Sequence, residues 1–334
     1  MKRIAVGIRS LAICVLVLVS PCAAWSLDTD AQWKQWLVRV HEASKQRTYA
    51  GTFVVSAGGN LASAKIWHVC EGTQQIERVE PLSGVPRASY RRNDQVTTLY
   101  PDSKVAIIET RGSLGSFPGL VKSANTNVGD HYIFSDLGAE RMAGFDVDGV
   151  SLSPRDSSRY GYRVWSEKRT GLVLQVQTMD ATGRVIEQSA FTEVQIDVPL
   201  KIAPLLQQME NLKGYKVTRP ALRTVTPQAM GWSLKVPVAG FQQVGCYSRT
   251  VARIEAPASD NLPVMQWIFT DGLATLSLFV ESFDPQRHLR EGVTGTGGAT
   301  QVVMRRVGDW WATAVGEVPA STLRAFVTAL ERKK

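Results

Sequence analysis

The chain is poor in the residues from which most active sites are assembled. It has four cysteines and four histidines in 334 residues, and Cys14 and Cys22 belong to an N-terminal apolar segment. His41, His68, His131 and His288 do not stand at metal-ligand spacing from one another, and a single His-x-Cys pair is too few ligands to hold an ion. No metal and no cofactor are expected. A Gly-x-Ser-x-Gly elbow is missing; "GSLGS" lacks the order. "GVTGTGG" (Gly292 to Gly298) has the glycine of a phosphate loop without its Lys-Ser/Thr, and reads as a flexible hairpin. Beyond residue 24 no apolar run approaches the length of a bilayer span. Internal repeats and low-complexity runs are also missing.

What is present begins with a leader. Lys2, Arg3 and Arg9 precede the apolar run Leu11 to Val19, which meets the small residues Cys22, Ala23 and Ala24. This is the order of a cleaved secretory signal at residues 1–24, and its apolar core is short for a membrane anchor. Pro21 stands where lipoprotein processing wants a small, flexible residue, which disfavours acylation of Cys22. The formal net charge is +8 and falls when the leader leaves. The mildly basic remainder suits anionic partners without naming one. Export removes the usual nucleic-acid partners, and "RASYRR" is one basic stretch with no reading helix, so no nucleic acid is expected. Cys70 and Cys246 remain in an oxidising compartment, where a bridge between them is an open alternative.

The mature part opens with an amphipathic helix. In "DTDAQWKQWLVRVHEASK" the residues Trp33, Trp36, Leu37 and Val40 fall at i, i+3, i+4 and i+7. Alternating strands separated by Gly, Asn and Asp turns then run from "YAGTFVVSAG" through "VAIIETR", and again through "QVQTMDATGRVIEQSAFTEVQID". A large curved antiparallel sheet wrapped over the helix follows. Gly112 to Asp130 has the Ser, Gly and Asn of a mobile flap at a cavity rim, with Phe117, Leu120 and Val121 among them. Leu200 to Gln228 reads as loosely patterned linker. A second α+β unit ends in the helix "PASTLRAFVTALERKK", with the stripe Leu323, Phe326, Val327, Leu330.

The strand "LASAKIWHVC" poses the functional question. His68 and Cys70 share a face with Ile66, Ala64 and Ala62. A reactive thiol needs a lowered pKa, and only His68 stands near enough in sequence to supply it. A wall facing an apolar space fits this strand better than a nucleophile and its base. A curved sheet over a tryptophan-bearing helix, incompletely filled, leaves a pocket suited to acyl chains or an apolar peptide.

Several stretches carry a likeness: "YAGTFV", "IERVEPLSGVPRASYRRND", "SPRDSSRYGYRVWSEKRTGL", "GWSLKVPVAGF", "FTDGLATLSLFVE" and "VGEVPASTLR". In their order and over nearly the whole mature chain, the sequence resembles the MucB/RseB family, periplasmic negative regulators of the sigma-E type envelope-stress response in Gram-negative bacteria. The resemblance implies an α+β fold: an N-terminal LolA/LolB-like half-barrel with plugging helices at 25–205, a linker at 206–228, and a smaller antiparallel sheet-and-helix domain at 229–334. It implies binding to the periplasmic domain of a single-span, RseA/MucA-like anti-sigma factor, protection of that factor from the site-1 protease, and release when lipid A or an acylated lipoprotein enters the cavity. A homodimer is left open. The chain is then a regulator and not an enzyme, with a periplasmic lipid or lipoprotein carrier as the rival reading. On this footing Trp33, Trp36, Ile66 and Phe117 are candidates for the lipid cavity. Glu77, Arg78, Arg87 and Arg91 are candidates for its polar rim. Asp271, Gly272, Phe279, Gly316, Glu317 and Pro319 are candidates for the anti-sigma contact. Cys70 is not a family feature, so a Cys70–Cys246 bridge would be particular to this chain.

Overall fold

The computed structural model of the protein describes residues 29–110, 117–121, 128–250, 263–295 and 297–333. The leader expected at 1–24 lies outside the described residues, as does the larger part of Gly112 to Asp130. The chain opens with α1 (Thr29–Gln46) and six strands: β1 (Tyr49–Ala57), β2 (Asn60–Glu71), β3 (Gln74–Pro81), β4 (Ala88–Arg92), β5 (Gln95–Tyr100) and β6 (Val105–Thr110). After the single turn α2 (Val128–His131) come β7 (Tyr132–Met142), β8 (Phe145–Pro154), β9 (Gly161–Glu167), β10 (Val173–Met179) and β11 (Val185–Ile196). These strands are two meanders, fused where β1 pairs antiparallel with β11. Tight turns join them because the sequence supplies residues that tolerate positive φ. Asn93 between β4 and β5 and Gly183 between β10 and β11 both do so.

Helix α1 lies across the inner face of this sheet. Leu37 and Val40 pack with Val150, Leu152 and Val164, and Ala43 packs with Tyr49, Ile66 and Phe191. The spacing that makes the helix amphipathic is thus the spacing that buries it.

The stretch expected to be linker is folded, which corrects that reading. It holds α3 (Ile202–Glu210), β12 (Lys216–Thr218) and β13 (Leu222–Thr224). Ile202, Leu205 and Met209 press on the outer face of the sheet against Val69, Ile76, Tyr90, Leu99 and Ala106. β12 then pairs in parallel with β6 and completes a 12-stranded sheet. The outer face of the sheet is therefore covered by α3 over β2 to β6.

The second unit contains β14 (Trp232–Leu234), β15 (Gln242–Thr250), β16 (Pro263–Thr270), β17 (Thr275–Ser282), β18 (Gly292–Gly295), β19 (Gln301–Val307), β20 (Trp310–Gly316), α4 (Ala320–Ala329) and β21 (Leu330–Arg332). Seven strands run in the order β13-β15-β16-β17-β20-β19-β18. Alternation in β17 turns Leu276, Leu278 and Val280 toward α4, where Leu323, Phe326 and Val327 close the core. Each such side chain contributes about 1.5–3 kcal/mol on burial. The terminal helix stops at Ala329 rather than running to Lys334, because Leu330 to Arg332 pair with β14. "GVTGTGG" supplies the edge strand β18 and part of the loop after it.

Candidate functional site

A cavity of about 690 Å³ opens on the inner face of the 12-stranded sheet. Phe53 and Val55 of β1, Val79 of β3 and Val176 of β10 are apolar parts of its wall, and Phe117, Leu120 and Val121 face them from the other side. Phe117 meets Phe191 at 5.0 Å and Phe53 at 5.4 Å between ring centroids. Tyr162 and Glu187 extend the wall, and Glu317 of the second unit completes it.

The other end of the cavity is polar, and strand register builds it. Tyr49 stands opposite His68, His68 opposite Glu77, and Glu77 opposite Arg91, so one residue from each of four adjacent strands forms a row on the inner face. Glu77 and Arg91 form an ion pair at 3.4 Å. His68 is fully buried and stacks on Tyr49 at 4.9 Å. Its Nδ1–H donates to the carbonyl of Arg47 at 2.7 Å, which ties the end of α1 to the sheet. Burial holds the His68 imidazole below its ordinary value, and the Glu77 carboxylate opposes that shift. Lys45 and Arg87 are exposed where they border the cavity.

Of the cavity candidates, Phe117 lines it. Ile66 is 1% exposed and belongs to the core beneath. Trp33 and Trp36 do not line it either: they pack on Phe134, Trp33 stacking on it at 5.5 Å. Of the rim candidates, Glu77, Arg87 and Arg91 border the cavity. Arg78 does not, because it alternates to the outer face, where its guanidinium lies 4.6 Å from the Trp67 ring and bonds Gln208. The alternation that places Glu77 inside places Arg78 outside. Phe53, Tyr162 and Glu187 were missed; Phe53 and Tyr162 were legible as inward positions of their strands, whereas the approach of Glu317 was not.

The His68–Cys70 pair is not a catalytic arrangement. Cys70 Sγ lies 3.9 Å from His68 Nδ1, but that nitrogen carries its proton toward Arg47 and has no lone pair for the thiol. The thiol donates to the Lys45 carbonyl, and burial pushes its pKa up, with Arg91 opposing. The bridge to Cys246 is not formed: both thiols are free. Cys246 is buried in the core of the second unit, where desolvation pushes its pKa up to about 11. Among the described residues no cluster of three or more His, Cys, Asp or Glu side chains is arranged to hold a metal, and no helix is long and apolar enough to cross a membrane.

The anti-sigma candidates separate. Phe279 alternates with Leu278 and Val280 and projects, half-buried, from the sheet face opposite α4. Glu317 borders the cavity. Asp271 is fully buried, paired with Arg159 of the first unit. Gly272 holds a φ of +103° in the turn that Asp271 begins. Gly316 is packed so tightly that a Cβ there would sit 2.5 Å from the Leu276 Cβ. The Pro319 carbonyl starts α4 by accepting the Thr322 N–H.

An open sheet folded over a helix and a ligand-sized cavity, joined to a sheet-and-helix unit, defines a two-domain, cavity-bearing protein. The chain belongs to the MucB/RseB family: residues 32–209 match its N-terminal domain and residues 226–331 its C-terminal domain. It is 25% identical to the sigma factor AlgU regulatory protein MucB of Pseudomonas aeruginosa, over 92% of this chain and 93% of that protein. It is 23% identical to the sigma-E factor regulatory protein RseB of Haemophilus influenzae, over 98% of each. Its fold is similar to that in the solved MucA/MucB complex of P. aeruginosa, with a TM-score of 0.67, 23% identity, and coverage of 91% of this chain and 99% of that one.

Proposed function

We propose that this chain is an exported, non-enzymatic regulator that binds the periplasmic domain of a single-span anti-sigma factor and shields it from the site-1 protease. Lipid entering the cavity releases the anti-sigma factor, so the protein holds down an envelope-stress sigma factor until lipid signals damage. The observation that carries the reading is the match of both family domains, in order, to a chain whose first domain encloses a cavity with a polar end and an apolar end. Relatives covering nearly the same length are named as sigma-factor regulatory proteins, and MucB has been solved in complex with MucA. Phe279, on the sheet face opposite α4, is the remaining side-chain candidate for the anti-sigma contact outside the cavity and the domain junction.

The mechanism is a competition between two ligands. Lipid lowers affinity for the anti-sigma segment by preferring the protein without it. The test is the affinity of residues 25–334 for the periplasmic domain of the host's anti-sigma factor, titrated with lipid A. Tight binding that weakens with lipid, together with slower site-1 cleavage of the bound factor, is expected; an affinity unchanged across the titration rejects the reading. The cavity also suits a lipid or lipoprotein carrier, which predicts transfer of acylated cargo between membranes and no anti-sigma binding.

A further inference from the structure

The junction between the two domains is built like a core. Leu273, in the turn from β16 to β17, is buried among residues of the first domain that include Leu37, Val40 and Tyr132. Beside it Arg159 Nε donates to Asp271 Oδ2 at 2.9 Å, and both side chains are fully buried. The same oxygen accepts the Tyr132 hydroxyl at 3.0 Å, while Oδ1 accepts the N–H groups of Leu273 and Ala274. The rest of the guanidinium is used as well. It bonds the Asp156 carboxylate and the Ala239 carbonyl, and lies 4.9 Å from the Phe241 ring. The Thr322 hydroxyl, in the first turn of α4, donates to the Ser158 carbonyl at 2.8 Å. Three segments of the second domain thus converge on one loop of the first.

A second contact lies elsewhere on the first domain. Glu187 accepts the Ala299 N–H at 3.1 Å, and the loop at Gly297 and Gly298 abuts Gly58 and Ala57. Between these contacts Glu317 forms part of the cavity wall. Parting the domains exposes the Leu273 plug and breaks the hydrogen bonds across the junction together, so the docked arrangement is held rather than freely hinged. Glu317 is the cavity-wall residue that docking of the second domain supplies, so parting the domains withdraws it and widens the opening. The cavity volume of about 690 Å³ lies in the range, roughly 300–1,000 Å³, that encloses one drug-sized molecule. One acyl chain fits that description and a lipid of several chains exceeds it.

We propose that the Arg159–Asp271 junction sets a size threshold on the cavity: a single-chain amphiphile enters with the domains docked, and a multi-chain lipid enters only by parting them. The inference rests on the lipid-sensing reading above and adds which lipids signal. Because docking and multi-chain binding exclude each other, loosening the junction raises affinity for a multi-chain lipid and leaves single-chain affinity unchanged.

The experiment uses residues 25–334 with two probes, palmitate and multi-chain lipid A, binding to the wild type and to Asp271→Asn, with the radius of gyration followed by small-angle scattering. Palmitate is expected to bind both proteins equally and to leave the radius unchanged. Lipid A is expected to enlarge the wild type and to bind Asp271→Asn about tenfold more tightly. Tyr132→Phe removes the hydroxyl that donates to the Asp271 carboxylate and shifts lipid A affinity the same way, by up to about tenfold; it keeps the test open if the first variant does not fold. Equal lipid A affinity in the wild type and the variants, or expansion with palmitate, overturns the threshold. If neither probe binds, the lipid-sensing reading falls and the threshold falls with it.

Discussion

A buried histidine shows how one residue's burial sets a response to pH. His68 is locked neutral by desolvation, with Nδ1–H committed to the Arg47 carbonyl. Its folded-state pKa lies below the ordinary 6.5, so as pH falls through that value the unfolded chain takes up a proton before the folded one. His68 therefore contributes stability in full above about pH 6.5 that is lost as pH falls toward its folded-state value. Glu187 acts with the opposite sign. Desolvation and the nearby Glu317 raise its pKa above 4.5 while the Ala299 N–H opposes them, so its contribution grows as pH falls through the raised value. The expected result is a urea midpoint that drops between pH 7 and pH 5 in the wild type and drops less in His68→Gln. Parallel midpoints in the two proteins would show that His68 does not titrate with unfolding. The inward-facing position of His68 was legible from strand alternation. Its commitment to Arg47 was not, since 21 residues separate the two.

Elements were read best where the hydrophobic period was long. α1 and the hairpins of the first sheet have many repeats of one period and turn residues at their ends, and local sequence suffices for both. From sequence α3 reads as linker because only nine residues carry its stripe and Pro204 interrupts them. In the first helical turn a proline costs little, since the N–H it lacks has no intrahelical partner. The helix forms because outward-facing Val69, Tyr90 and Leu99 need cover. Leu205→Ala should accordingly destabilise the protein by about 2–5 kcal/mol in urea; a loss below 0.5 kcal/mol, the ordinary range of a surface substitution, would mean that the helix is not part of the core. The end of α4 is hidden in the sequence for a similar reason. Leu330 continues the helical stripe, but Leu330 to Arg332 pair with β14, and Arg332 lies 4.5 Å from the Trp310 ring.

For the whole molecule the junction governs cooperativity. Leu273 belongs to the core of the first domain although it is carried by the second, so either domain unfolding alone strips the other of packing. One calorimetric transition is expected for residues 25–334. Arg159→Ala leaves Asp271 buried without its cation, which costs about 3–5 kcal/mol, and should separate that transition into two. Two well-resolved transitions in the unaltered protein would show that the domains are energetically independent.

The sequence by itself determined the family, the order of most strands, the two amphipathic helices and the side of each strand that turns inward, because these depend on local periodicity and on segments that stay in order. Tertiary structure alone decided which inward residues meet. It separated Phe117 from Trp33 and Trp36, closed the cavity with Glu317, and joined Arg159 to Asp271 across 112 residues. Contacts of that kind depend on how two sheets come together in space, and no period within either sheet records it.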